Sequence, residues 1–559
     1  MAAHSDLRSG HALAQTRVLD LVAAAPRSAP PRDGVLRRVV GSAFSIPALC
    51  GYVYVALGLW LMLGLGFYEG DSLSRTANAL YVVRGRDPHL AAIGFVWNPL
   101  PSIVQIPLVM ALDRSGLTYL AGPLQSAAFG VGSLVVLDRL LRLLDVSAFR
   151  RRALLLLYGL NPMIVFYAAN GMSESPLIFF MLAATYQFLR WTRKGGTQAL
   201  LIFSLLSAGT FLVRYEGLAF CAGGVLALTV AFFVGRDLEP DRLEAILLTY
   251  LVPISYVAAL WVFFNWVFVG DPLYFYRSSY GNAAQTAGFR TGAQTYLSLV
   301  VANVASSIAY AGLRWLIVMP AILPISALAF VRGIARREHV TFGVLAMAGA
   351  LPAFHAYLVY SGSSFGWLRF YMYGIPFAIV LAPLVISPLQ GMRRTHTAAW
   401  ALTLVAIAAG LPASLYAMSQ PDLGREEWQV TRHLIDPASV AVPESFRFTT
   451  EKEIAAYVDA LPGHPVVLMD SAYAFAVNLF SRDHARYAIT SDRDFRAILA
   501  KPDSGVITHI LVPDPRSVEA VGQALPGIWQ NGRPYATLEK DFGGLNGWRL
   551  YRVTPAASR

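Results

Sequence analysis

The sequence predicts a mainly α-helical protein that threads a lipid bilayer about eleven times and carries a small C-terminal α/β domain. Three observations predict it. The 559-residue chain is 56% hydrophobic and only 14% charged, whereas soluble domains carry about 25% charged residues. Apolar blocks long enough to span a bilayer, about 20 residues, recur from Phe44 to Met418, and Gln420 to Arg559 has ordinary soluble composition. The basic residues fall largely in short loops between those blocks, the pattern that orients membrane proteins.

Residues 1–41 are rich in Ala, Arg, Ser and Pro and contain no apolar stretch. They read as a disordered basic tail on the cytoplasmic side and as no cleavable signal. Within 42–418, spans are expected at 42–66, 117–138, 153–169, 175–191, 198–213, 217–234, 246–268, 312–331, 340–359, 370–387 and 397–418. Two further apolar segments, 99–112 and 295–310, are short and lie in the long loops 67–116 and 269–311. Loop charge places them. With the N-terminus inside, the inward loops hold Arg139, Arg142, Arg150, Arg151 and Arg152; Arg190, Arg193 and Lys194; Arg236 and Arg242; Arg332, Arg336 and Arg337; and Arg393 and Arg394. If either short segment crossed, an Arg-rich loop would face outward, so both are expected as amphipathic helices along the outer surface.

The odd span count puts 419–559 on the extracytoplasmic side. There, strand-like runs (His464–Met469, Val506–Val512) alternate with helix-like ones (Ala472–Arg482, Val518–Leu525), and Tyr535–Glu539 and Trp548–Val553 add strand candidates. This alternation predicts a small α/β domain. No internal repeat at fixed period is present. The Ala- and Arg-rich usage reads as a GC-rich bacterial genome, which would make the membrane a plasma membrane.

Several function classes drop out. The net charge is +11, but no basic stripe or nucleic-acid motif accompanies it, so no nucleic-acid partner is expected. Cys50 and Cys221 both lie in apolar blocks and supply neither a disulfide framework nor a cysteine metal site. The histidines form no HExxH pair and no helical metal-ligand spacing. His89 and His355 read as hydrogen-bonded neutral imidazoles, with ligation of a metal beside Asp71 as the alternative. No P-loop, GxGxxG or GxSxG elbow occurs, so nucleotide-driven chemistry has no support.

Charged side chains near a bilayer are expensive and mark function. A distinct set falls at outer span ends: Glu69 and Asp71, Glu174, Arg214 and Glu216, and Arg369. Carboxylates and guanidinium groups on one face suit a site that binds an anionic head group and abstracts a proton. Asp71, in FYEGDSLSR, reads as a general base at the membrane–water boundary or as a helix cap, and Glu69 as its partner or a solvated charge. Glu174 precedes Pro176 and reads as a second site carboxylate or as a first-turn acid complementing the helix dipole. Arg214 (FLVRYEGLAF) and Arg369 (SFGWLRFYMYGIP) read as phosphate contacts or interfacial anchors, with Glu216 pairing Arg214. The aromatic loop 269–296 reads as an interfacial belt or a sugar-stacking groove.

These segments resemble the GT-C superfamily of membrane glycosyltransferases, over roughly residues 42–390. YEGDSLSRTANAL resembles the acidic first-loop motif, which implies that Asp71 is the catalytic carboxylate. NPMIVFYAANGMSESPLIFFMLA is similar to the outer end of a later span in aminoarabinose and protein mannosyl transferases and carries an acidic role to Glu174. LVRYEG resembles a segment whose basic residue meets the carrier phosphate, implying Arg214. WLRFYMYGIP is similar to a late Arg-Tyr segment ending in Pro, implying Arg369. FVWNPLPS departs from the family: Asn98 stands where many relatives have Lys or His, leaving hydrogen-bond donation to the phosphate in place of a cation.

The resemblance implies a sugar donor on polyprenyl or dolichyl phosphate and transfer with inversion to a glycan, lipid or protein acceptor on the extracytoplasmic face. It leaves a divalent metal open. The alternative readings are a membrane transporter or lipid flippase, or a non-catalytic assembly protein. The absence of repeated halves and of midplane charge argues against transport.

Overall fold

The computed structural model describes residues 45–234, 240–282, 284–287, 300–386, 393–438, 440–517 and 519–556. The expected tail 1–41 lies outside the described residues, as do Arg236 and most of 283–299. The rest is a helical membrane bundle with a five-stranded sheet near its C-terminus.

The first helix, α1 (Ile46–Leu59), is capped by Ser45, whose hydroxyl accepts from the Ala48 amide, and has Pro in its first turn, where the missing N–H costs no bond. After a π-turn at Trp60–Gly64 come α2 (Gly70–Arg84) and α3 (Leu100–Leu112). Next are α4 (Ala121–Leu143), α5 (Ala148–Gly159), α6 (Pro162–Ala169), α7 (Glu174–Lys194), α8 (Thr197–Val213), α9 (Gly217–Val234) and α10 (Pro240–Val269). They are followed by α11 (Val304–Val318), α12 (Ile322–Arg336), α13 (His339–Tyr360), α14 (Gly374–Ile386), α15 (Arg393–Ala408) and α16 (Gly410–Ser419).

Among the described residues, seven helical stretches are long and apolar enough to cross a bilayer, or nine if two bent pairs each count as one span. Among the described residues, each of the eleven expected segments is largely helical, but α7 and α8 fall outside that set. The last turn of α7 is basic, and α8 has only 17 residues.

The bent pairs are α5–α6, at 60°, and α11–α12, at 111°. Proline explains both: Pro162 starts α6 under an Asn161 cap, and Pro320 lies in the break after Val318, with Met319 extended at φ −144°. Proline lacks the N–H and pushes its predecessor out of the helical region. This corrects the reading of 295–310 as a separate surface helix followed by a span from 312. Residues 304–310 belong to α11, and the chain turns at 319–321 instead.

Among the described residues, four of the basic loops gather at one end. Leu144, Arg193 and Arg337 line one cavity, and the Arg150 guanidinium lies 5.1 Å from the centre of the Trp400 ring. Because α7 runs from Glu174 to Lys194, the residues at its start lie about 30 Å from that end, at about 1.5 Å per residue.

At the other end, α2 and α3 are joined to α4 by buried polar side chains. Thr76 donates to Gln105 at 2.7 Å, Gln105 to Gln125 at 2.9 Å, and Gln125 to the Pro101 carbonyl at 2.7 Å. Each group is thereby satisfied, as burial requires.

Beyond α16 the chain passes back across this end before building the sheet. Strands β1 (Val467–Met469), β2 (Tyr487–Ile489), β3 (His509–Val512), β4 (Ala536–Gly543) and β5 (Trp548–Val553) lie in the order β2-β1-β3-β5-β4. The first three are parallel, and β4–β5 is an antiparallel hairpin paired to β3. The expected strands and helices are present. The additional strand, β2, has three residues, too few to show periodicity.

The sheet layer docks on α2. Ala77 and Tyr81 share a core with Ile454, Met469 and Leu550. At the rim, Arg86 pairs with Asp492 at 2.9 Å and the Arg493 guanidinium with Asp87.

Gly171 closes the junction between α6, α7, α2 and α4. It sits at φ +84°, and a Cβ there would meet Ser72 Oγ at 2.0 Å, the Gly122 backbone at 2.9 Å and Pro123 Cδ at 3.0 Å. Gly171→Ala is expected to destabilise the protein by about 2–4 kcal/mol, from strained backbone and overpacking together. A lowered melting temperature in detergent checks this.

Candidate active site

The charged residues singled out in the sequence come from four separate segments, and the fold brings them into one network. Asp71 lies in the first turn of α2, and the N-cap position belongs to Glu69, so the cap reading of Asp71 is replaced by a first-turn one. Glu174 opens α7 after an Ser173 N-cap. Arg214 ends α8 in extended conformation, and Arg369 lies in a 3₁₀ turn, Leu368–Tyr371, before α14.

Arg369 is the hub. Its guanidinium is 3.5 Å from Asp71, 3.6 Å from Glu174 and 3.1 Å from Glu426, and it lies over the Trp367 and Phe370 rings at 4.4 and 5.4 Å. Arg214 donates to Glu174 at 2.6 Å and to Ser173 at 3.1 Å. Its remaining edge forms a bidentate pair with Glu216 at 2.8 and 3.0 Å. Arg214 is therefore largely engaged by protein carboxylates. Asn98 donates its amide to the Phe211 carbonyl at 2.6 Å, and Tyr215 donates to the Val96 carbonyl at 2.8 Å. These bonds tie the 96–98 loop to the turn that carries Arg214.

The carboxylates differ in exposure. The Asp71 side chain is 38% exposed, that of Glu426 16%, and Glu174 is fully buried. Glu69 is buried with one carboxylate oxygen unpartnered. Burial, only partly offset by Arg369, pushes its pKa up to about 8, so it holds a proton at neutral pH. Burial raises Glu426 and Glu427 as well, and Glu427 accepts a hydrogen bond from Tyr167.

Three members were not singled out in the sequence. Glu426 and Glu427 follow the last span in GREEWQ, where they read as ordinary loop charges. Arg75 sits four residues after Asp71, hence on the same face of α2. It is buried, with Nε and Nη1 unpartnered, 5.5 Å from the Trp97 ring centre. Burial pushes its pKa down, against the pull of Asp71.

Among the described residues, no three His, Cys, Asp or Glu side chains are placed to share a metal ion. His89 meets the Asp87 carbonyl at 2.6 Å. His355, expected to be hydrogen-bonded, stacks instead on Phe370 at 5.0 Å with both ring nitrogens unpartnered.

Two variants probe this network. Arg369→Ala leaves three carboxylates without their shared counter-ion and is expected to cost about 3–5 kcal/mol, read from thermal unfolding. Glu69 has a folded pKa near 8, above its ordinary 4.5. Its contribution is complete below pH 4.5 and is lost as pH rises through 8. Glu69→Gln should therefore match the wild type in acid and exceed its stability above pH 8, in a pH series of melting temperatures.

No family model and no curated protein matches the sequence. The fold matches the structure of ArnT from Cupriavidus metallidurans bound to undecaprenyl phosphate with a TM-score of 0.50 at 12% identity, over 94% of this chain and 99% of that one. The apo state of ArnT gives a TM-score of 0.48 at 13% identity, over 92% and 98%. The Archaeoglobus fulgidus oligosaccharyltransferase tethered with an acceptor peptide gives 0.43 at 12%, over 84% and 70%. The chain has the fold of ArnT.

Proposed function

We propose that this protein is an inverting membrane glycosyltransferase that takes a sugar from a polyprenyl-phosphate carrier on the extracytoplasmic face, with Asp71 as the base. The observation that carries the reading is the joining of Asp71, Arg369, Glu174 and Arg214 in one network at the end of the bundle away from the basic loops, on a GT-C fold. That separation supports a cytoplasmic N-terminus, with the network and residues 419–559 outside.

Asp71 is the most exposed carboxylate that contacts Arg369, as a base that meets an incoming hydroxyl must be. It takes the acceptor's hydroxyl proton while the acceptor oxygen attacks the anomeric carbon. The anomeric carbon–oxygen bond to the phosphate breaks, its electron pair leaves with the polyprenyl phosphate, and the configuration inverts. Arg369 faces Asp71 and, with Arg214, supplies positive potential as charge develops on the leaving phosphate. Glu174, fully buried between the two guanidinium groups, is a positioning residue. Protonated Glu69 donates a hydrogen bond to a donor or acceptor oxygen. Asn98 orients the loop beside Arg214.

Asp71→Asn is expected to lower transfer from an undecaprenyl-phosphate sugar by about 10²–10⁴-fold, with thermal unfolding unchanged, in membranes supplied with a panel of such donors. Transfer near the wild-type rate would remove Asp71 as the base.

A further inference from the structure

A cation withdrawn from water needs an opposite charge, and an unpaired one is among the least favourable groups a protein can bury. Arg214 and Arg369 meet this requirement with carboxylates. Arg75 does not. It is 4% exposed, its Nε and Nη1 have no hydrogen-bond partner among the described residues, and its described contact is the face of Trp97. Asp71, Glu174, Arg214 and Arg369 act on it electrostatically, so it faces the same network, yet none of them bonds to it.

We infer that Arg75 is the residue that grips the phosphate of the lipid carrier, and that Arg214 frames the site through Glu174 and Glu216. The inference rests on the polyprenyl-phosphate reading above and names the residue that makes the contact. The chemistry fits the unpartnered donors. Nε and Nη1 lie on different sides of the guanidinium, so each has a free donor to give to a phosphate oxygen. Arg75 lies one helical turn from Asp71, so base and phosphate contact flank one anomeric carbon. When the sugar leaves, a phosphodiester with one negative charge becomes a phosphomonoester carrying nearly two. A guanidinium with unspent donors gains most from that increase, so its contact is stronger in the transition state than in the ground state. Trp97 supports the planar cation from its face.

The test compares undecaprenyl phosphate with undecaprenol, which has the same chain and no phosphate, on the full-length protein in nanodiscs. Wild type should bind the phosphate at least tenfold more tightly than the alcohol. Arg75→Gln should lose most of that preference while binding the alcohol unchanged, and Arg75→Lys should recover part of it. Without lipid, Arg75→Gln should melt at or above the wild-type temperature, because it removes an uncompensated buried charge.

Full retention of the phosphate preference in Arg75→Gln overturns the assignment, and so does a lower melting temperature without lipid, since it would mean that protein groups alone hold the guanidinium. If wild type itself shows no preference for the phosphate, the polyprenyl-phosphate reading fails and the assignment falls with it.

Discussion

The requirement that a buried guanidinium be matched by negative charge organises this end of the molecule. Arg369 is 3% exposed and lies within 3.6 Å of carboxylates from the start of α2, the start of α7 and the segment after α16. Removing Arg369 takes away the charge that its carboxylate partners share, so the ends of those elements are held together by electrostatics as well as by packing. Gly171 and the Thr76–Gln105–Gln125 chain serve the same junction by letting α2 and α4 approach closely.

That arrangement separates two electrostatic environments within a small volume. Glu69 is buried and favours its protonated form, whereas the Asp71 side chain reaches solvent beside Arg369. Neighbouring carboxylates held in different environments can take different proton-transfer roles. The segment after α16 is part of this division: it supplies Glu426 and Glu427, and its Phe446 carbonyl accepts from the Tyr68 amide at 2.9 Å. The chain beyond the last span is thus built into the site before it forms the sheet.

Much of the site was legible because charge in an apolar sequence is conspicuous. Asp71, Glu174, Arg214 and Arg369 stand out against blocks that otherwise exclude ionisable groups, and all four fall in one network. Arg75 and Glu426 did not stand out: one lies in a helix already rich in polar residues, and the other follows the spans where charge is ordinary. Arg75 meets Trp97 and Glu426 meets Arg369, contacts made by the fold that no local pattern records.

By itself, the sequence determined the fold class, the helical segments, the alternation that builds the C-terminal sheet and the identity of four site residues. Those properties follow from local composition: a backbone in lipid must satisfy its own hydrogen bonds, and a charge there must have a reason. Only the tertiary structure decided where α11 breaks, which of the arginines are already neutralised and which one is left unmatched. Those depend on distances between side chains brought together by packing. Arg214 and Arg75 look equally free as letters, and differ because Glu174 and Glu216 close on one and no carboxylate among the described residues pairs with the other.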